Sequence, residues 1–153
     1  MQQTSERIQQ LWQRLQTVVE FSYSSEPGPA SMSGWQGQGA GQVEVQVTGD
    51  DEIRFIEQGE FTLAGNTPLA MYNTYIWQQT PTGIRLSHGR RGEPVFLFEL
   101  IPQSHGWRSA EAHVCIDDLY AGELQETADG FDLCWTIRGP KKDEYLYYRY
   151  RTG

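Results

Sequence analysis

His113-Val-Cys-Ile-Asp-Asp-Leu-Tyr120, with Ala128-Asp129-Gly130 and Gly139-Pro-Lys-Lys-Asp143 further along, is the stretch whose reading decides the fold. It reads as a strand, a tight turn and a returning strand. Asp-Gly suits a two-residue hairpin turn that needs positive φ. With Asp129 and Gly130 as the turn, Ala128 pairs with Phe131 and Tyr120 with Gly139. Asp118 then falls opposite Lys141, and Asp117 opposite Lys142. Opposite charges across a ladder attract, although exposed pairs contribute under about 1 kcal/mol each. Pro140 cannot donate to a ladder, so a bulge or an edge is expected beside it. The same register sets Cys115 opposite Glu144 and Cys134 opposite Gln125, so the two thiols do not face each other.

Upstream of this hairpin the chain is a series of short strands and turns. Val43, Val45 and Val47 alternate with Glu44 and Gln46, the mark of a half-buried strand. From Glu52 to Phe61 one side carries Ile53, Phe55, Glu57 and Gly59. Met71 to Gln78 is rich in Tyr and Trp, Ile84, Leu86 and His88 share a face, and Pro94 to Ile101 is apolar on both faces. Pro102 to Arg108 reads as a loop, and Tyr145 to Arg151 as the final strand. Evenly spaced strands joined by turns predict an antiparallel meander. A meander of about eight or nine strands closes on itself because closure removes its edges. The predicted fold class is therefore all-β, an antiparallel up-and-down barrel over residues 42–152, in a single domain spanning 1–153.

Before the barrel, residues 3–19 predict a helix, with Ile8, Leu11, Trp12, Leu15, Val18 and Val19 in one apolar stripe. Thr4 or Ser5 would cap it, with Glu6 in its first turn. Residues 24–42 read as a glycine-rich linker, with Trp35 a candidate anchor inside it. Its glycines do not form a phosphate loop, for the Lys-Ser/Thr ending is missing. They suit a strand that curves sharply or runs close to another backbone.

Composition narrows the function. Five tryptophans, eight tyrosines and six phenylalanines favour strands and supply contact surface. A net charge of −8 argues against nucleic acid and against an anionic membrane as partners. No apolar run approaches the ~20 residues that span a bilayer. The Gln-rich N-terminus has no apolar signal core. A cytoplasmic location and two reduced cysteines are the matching expectations.

The alternation also aims polar groups inward. Glu57, His88 and Glu99 follow apolar residues on their own faces, so each is expected to point into the barrel. A buried charge costs several kcal/mol unless it is paired, roughly speaking, so an internal network or a ligand is implied. His113, Cys115, Asp118 and Tyr120 cluster on one strand, with Arg138 and Lys141 near them in the hairpin. Trp77, Tyr75, Trp135 and Phe98 supply aromatic contact area. His-x-Cys offers two metal ligands, but no second pair at metal-binding spacing accompanies it, so no metal is assigned. Nothing in the spacing demands a haem or names any other cofactor.

Gly34-Trp-x-Gly-x-Gly, Tyr75-x-Trp77, Val95-Phe-Leu-Phe98, His113-x-Cys-x-x-Asp118-x-Tyr120 and Gly139-Pro-Lys-Lys-Asp143 resemble a bacterial domain-of-unknown-function family, numbered 6314. The resemblance runs from about Leu11 to Arg151. That family is similar to the calycins, the lipocalin-like ligand-binding barrels, which implies an interior cavity. The first functional expectation is a small, partly apolar ligand in that cavity. Its binding residues would be His113, Cys115, Asp118, Tyr120, Arg138, Lys141, Glu57, His88 and Trp77. The alternatives are an enzyme in the same cavity with His113 as general base, and a protein-interaction module, a homodimer among them, using the aromatic strand Tyr145–Tyr150.

Overall fold

The N-terminal stripe folds as a helix, but a shorter one than its periodicity suggested. In the computed structural model, which describes residues 2–29, 36–63, 66–90, 93–109, 113–115, 118–140 and 142–153, α1 spans Gln2–Leu15. It begins before Thr4 and Ser5, so neither caps it. It stops before Val18 and Val19, whose branched side chains are stiff and suit a strand. Thr17 closes the last turn, its Oγ1 donating to the Arg14 carbonyl at 2.9 Å.

Eleven strands follow: β1 (Val18–Pro27), β2 (Gly37–Gly49), β3 (Glu52–Leu63), β4 (Leu69–Gln79), β5 (Ile84–Arg90), β6 (Glu93–Pro102), β7 (Trp107–Ser109), β8 (His113–Cys115), β9 (Asp118–Thr127), β10 (Gly130–Arg138) and β11 (Asp143–Thr152). Each pairs antiparallel with its neighbour. β11 pairs with β1, and β9 with both β7 and β10, so ten strands form a closed barrel with β8 appended to β9. The expected up-and-down barrel is present, with ten strands in place of eight or nine. The added strand length comes partly from stretches read as helix, linker or loop. Residues 24–42 are not linker throughout, since β1 runs to Pro27 and β2 starts at Gly37. The loop expected over Pro102–Arg108 gives way to β7 at Trp107. Trp35 lies outside the described residues.

The decisive hairpin has a different register from the one its Asp-Gly suggests. Thr127 pairs with Gly130, so Ala128 and Asp129 make the turn and Gly130 opens β10. Gly130 does not have positive φ; among the described glycines only Gly106 does. Glycine is needed at 130 for proximity, because a Cβ there would stand 1.8 Å from the Tyr150 carbonyl oxygen. Every pair in the ladder therefore moves by two residues. Tyr120 meets Ile137 and Cys134 meets Glu123. Asp118 pairs with Cys115 in a small β8–β9 hairpin. Asp117 and Lys141 lie outside the described residues. A two-residue slip preserves the inward and outward faces, so the alternation survives the correction.

The helix plugs one end. Ile8, Leu11, Trp12 and Leu15 are buried in the same core as Ile53, Phe55, Trp77, Ile84, Leu100, Trp107 and Phe131. Arg7 donates to the carbonyls of Gln103 at 2.6 Å and Gly106 at 2.9 Å. Arg14 donates to the carbonyls of Thr127 and Gly130, on either side of the β9–β10 turn. Replacing Arg14 with Met keeps the stem but removes both donors. The loss should be about 1–3 kcal/mol, read as a lower urea midpoint. An unchanged midpoint would show that burial of the stripe alone holds the plug.

Candidate functional site

At the other end of the barrel lie the last residues of β1, β3, β5, β8 and β10 and the first residues of β2, β4, β6, β9 and β11. Both C-terminal motifs belong to this mouth: His113-x-Cys-x-x-Asp118 is the β8–β9 hairpin, and Gly139-Pro-Lys-Lys-Asp143 joins β10 to β11. The backbones of His113, Cys115 and Asp118 are placed there, while their side chains and the whole of Lys141 lie outside what is described.

Glu57 sits in the middle of β3, with Val43 and Asn73 as its cross-strand neighbours. Ile53 and Phe55 share its inward face, and all three are 0% exposed. The Tyr150 hydroxyl donates to Glu57 Oε2 at 2.6 Å. Glu57 Oε1 has no hydrogen-bond partner among the described residues. Burial pushes the Glu57 carboxyl up to about 8, against the opposing pull of the Tyr150 hydrogen bond. The carboxyl is therefore mostly neutral at pH 7.

Tyrosines surround this group. Tyr148 and Tyr150 of β11 stack with ring centroids 5.2 Å apart. The Tyr148 hydroxyl is 2.9 Å from that of Tyr75 on β4, a bond that crosses the barrel interior. Tyr23 of β1 packs 4.8 Å from Tyr148. Burial raises the pKa of Tyr75, Tyr148 and Tyr150, and the nearby Glu57 carboxyl adds to the rise. Burial likewise pushes Tyr23 up to about 12, with Ser25 opposing and Glu144 reinforcing. All four hydroxyls stay protonated across the working pH range, ready to donate or accept. Ser25 and Glu144 are themselves buried on the inner face, nearer the mouth.

Of the side chains expected at the site, the structure brings Glu57 and His88 to the inner wall around Tyr75; the His88 ring is 5.1 Å from the Tyr75 ring. Tyr120 also faces inward, half-buried, 6.2 Å from Trp135. Trp77 is inward but belongs to the helix-side packing, 0% exposed between Phe55 and Phe131. Arg138 does not join them, since it lies on the outer face near the mouth and is exposed. Glu99 also points outward, where Thr82 Oγ1 donates to it at 3.0 Å. The reason is a bulge. Leu86 pairs with Phe98 but Ser87 with Phe96, so Leu97 is an extra residue and the alternation flips past it. Phe96 faces out as well, under the Arg85 guanidinium 4.4 Å away.

The residues missed at first reading are on β11. Tyr148 and Tyr150 are 2% exposed and β11 is paired on both sides, so these two rings of the aromatic strand Tyr145–Tyr150 face inward, while Tyr147 is exposed on the outer face. A signal was present: Arg149 and Arg151 mark the odd-numbered face as outward, which sends Glu144, Leu146, Tyr148 and Tyr150 inside. Cys134 is a free thiol on the outer face, opposite Glu123 and Tyr147, with its pKa raised by burial and then by Glu123. Among the described residues no cluster of His, Cys, Asp and Glu is arranged to hold a metal. Among the described residues no helix is long and apolar enough to cross a membrane.

No curated protein and no solved structure matches this chain. A family model does, over residues 14–152, from the last turn of the helix through the closing strand. The chain therefore belongs to DUF6314, a family of unknown function.

Proposed function

We propose that this protein binds one small, partly apolar ligand inside the barrel, entering at the mouth opposite α1. The observation that carries this reading is Glu57. A carboxyl with no exposed surface and one oxygen without a partner costs about 1–3 kcal/mol relative to a satisfied one. A glutamine would keep an acceptor for the Tyr150 hydroxyl without burying an ionisable group. A ligand group that bonds Oε1 supplies the missing partner. The aromatic surfaces of Tyr23, Tyr75 and Tyr148 then pack its body, in the manner of small-molecule sites that combine an apolar wall with a few placed polar groups. The mouth motifs sit where such a ligand would enter. His113, Cys115, Asp118 and Lys141 remain proposed contacts at that rim.

Native mass spectrometry of freshly purified protein tests this. A small-molecule adduct that survives gentle ionisation and is lost on denaturation is the expected result. The bare protein mass, together with no thermal shift from a chemically diverse small-molecule library, would overturn the reading.

A further inference from the structure

We propose that two copies of this chain associate through the edge of β4 at Leu69–Asn73, each segment pairing antiparallel with its copy across a two-fold axis. The interface lies outside the mouth and does not depend on a ligand in the interior.

β4 is covered along its length by β3 but only in part by β5. Against β3 it pairs from Leu69 to Gln78. Against β5 it pairs from Tyr75 to Gln79. Gly89 still lies beside Thr74, where a Cβ would stand 3.2 Å from Thr74 Cγ2. For Leu69–Asn73 no strand lies on the β5 side among the described residues. The N–H and C=O groups directed to that side are open to one more strand.

Strand edges in soluble proteins usually carry a charge, a proline or a bulge that deters such pairing. Leu69-Ala-Met-Tyr-Asn73 carries no charge and no proline, and its register against β3 is unbroken. Pro68 stands just before it. Two large side chains project from the same five residues. Leu69 is 58% exposed and Tyr72 is 71% exposed, the most of any large hydrophobic described.

The segment's own pattern names the occupant. Residues opposite each other in an antiparallel ladder share a face. The register that uses all five residues places the axis at Met71. Leu69 then meets the partner's Asn73, and Ala70 meets the partner's Tyr72. On the outer face each tyrosine ring lies beside an alanine methyl, large against small, twice over. Such self-complementarity is what a two-fold interface requires. Like charges would oppose it, since the whole chain carries −8, but the paired segment contributes none. Five residues a side make a small interface, so the association falls in the micromolar range.

Sedimentation velocity of the full chain, from low micromolar to near-millimolar concentration, tests this. The variants are Tyr72→Lys and Ala70→Lys, which put a charge on either member of the outer-face pair. Tyr147→Lys makes the same change at an exposed tyrosine on β11, a strand already paired on both sides. Circular dichroism checks that each is folded. Wild type and Tyr147→Lys should dimerise alike, and each β4 variant should weaken the dimer about tenfold or more. Amide exchange within residues 69–73 should slow as wild-type concentration rises. A wild type that stays monomeric at the highest concentration would overturn the proposal. So would a dimer that survives in both folded β4 variants, or one that Tyr147→Lys disrupts equally.

Discussion

Glu57→Gln should remove most of a loss of stability that the wild-type protein suffers between about pH 5 and pH 8. The folded carboxyl titrates at about 8 and its ordinary value is 4.5, because burial penalises the charged form. Below the lower value both folded and unfolded chains hold the proton, and the group is neutral to the balance. Between the two values the unfolded chain has released its proton while the folded one keeps it, so stability falls as pH rises. The fall is complete above the folded value. Its size is on the order of 4 kcal/mol across the window. The tyrosines around Glu57 stay protonated through this range, and because His88 stands against Tyr75 on the same wall, it is the comparison with the variant, and not the wild-type curve alone, that isolates Glu57. Tyr150, Tyr75 and Tyr148 are all raised above their ordinary values, and Val43 and Asn73 flank it on β2 and β4. Glutamine keeps an acceptor for the Tyr150 hydroxyl and carries no proton to lose. Urea unfolding at pH 5, 6, 7 and 8 measures both proteins. Wild type should weaken steadily while the variant stays flat; parallel curves would show that Glu57 is ionised and paired in the fold. Tyr150→Phe provides a sign check. It removes the hydrogen bond that lowers the Glu57 pKa, so the wild-type fall should extend to higher pH.

Gly122→Ala should cost about 1–3 kcal/mol, through overpacking. Gly122 lies on the inner face of β9, opposite Trp135. A Cβ there would stand 2.4 Å from Cζ and 2.5 Å from Cε1 of Phe98. Phe98 is 0% exposed and its ring also packs against Trp135, so it has little freedom to withdraw. Glycine within a strand normally loses roughly 0.5–1 kcal/mol to alanine through chain entropy, which would make the substitution favourable on an open wall. Here the clash is the larger effect and sets the sign. The double variant Gly122→Ala/Phe98→Leu should recover part of the loss, because the shorter side chain gives the methyl group room. Additive effects of the two changes would mean that the ring and the glycine are not in contact.

The barrel was legible because its evidence is local and repeated. Alternation through Ile53, Phe55 and Glu57 on β3, and through Ile84, Leu86 and His88 on β5, correctly put a buried acid and a histidine on the inner wall. The resemblance to a family of unknown function is matched by the family model over residues 14–152. Two readings failed where a distant backbone or a single inserted residue decided the outcome. Asp129-Gly130 has ideal hairpin-turn chemistry, yet Gly130 is used for its closeness to Tyr150. Glu99 continues the alternation of Val95 and Leu97, yet the bulge at Leu97 turns it outward.

What the chain determined by itself is which side chains share a face, because the strand period of two is a property of the covalent backbone and holds wherever no residue is inserted. Only the closed barrel decided which of those side chains meet. Tyr150 reaches Glu57, and Tyr148 reaches Tyr75, across an interior between strands separated by about 70 residues or more of sequence. No local pattern encodes such a contact, since it exists only after the last strand has paired with the first.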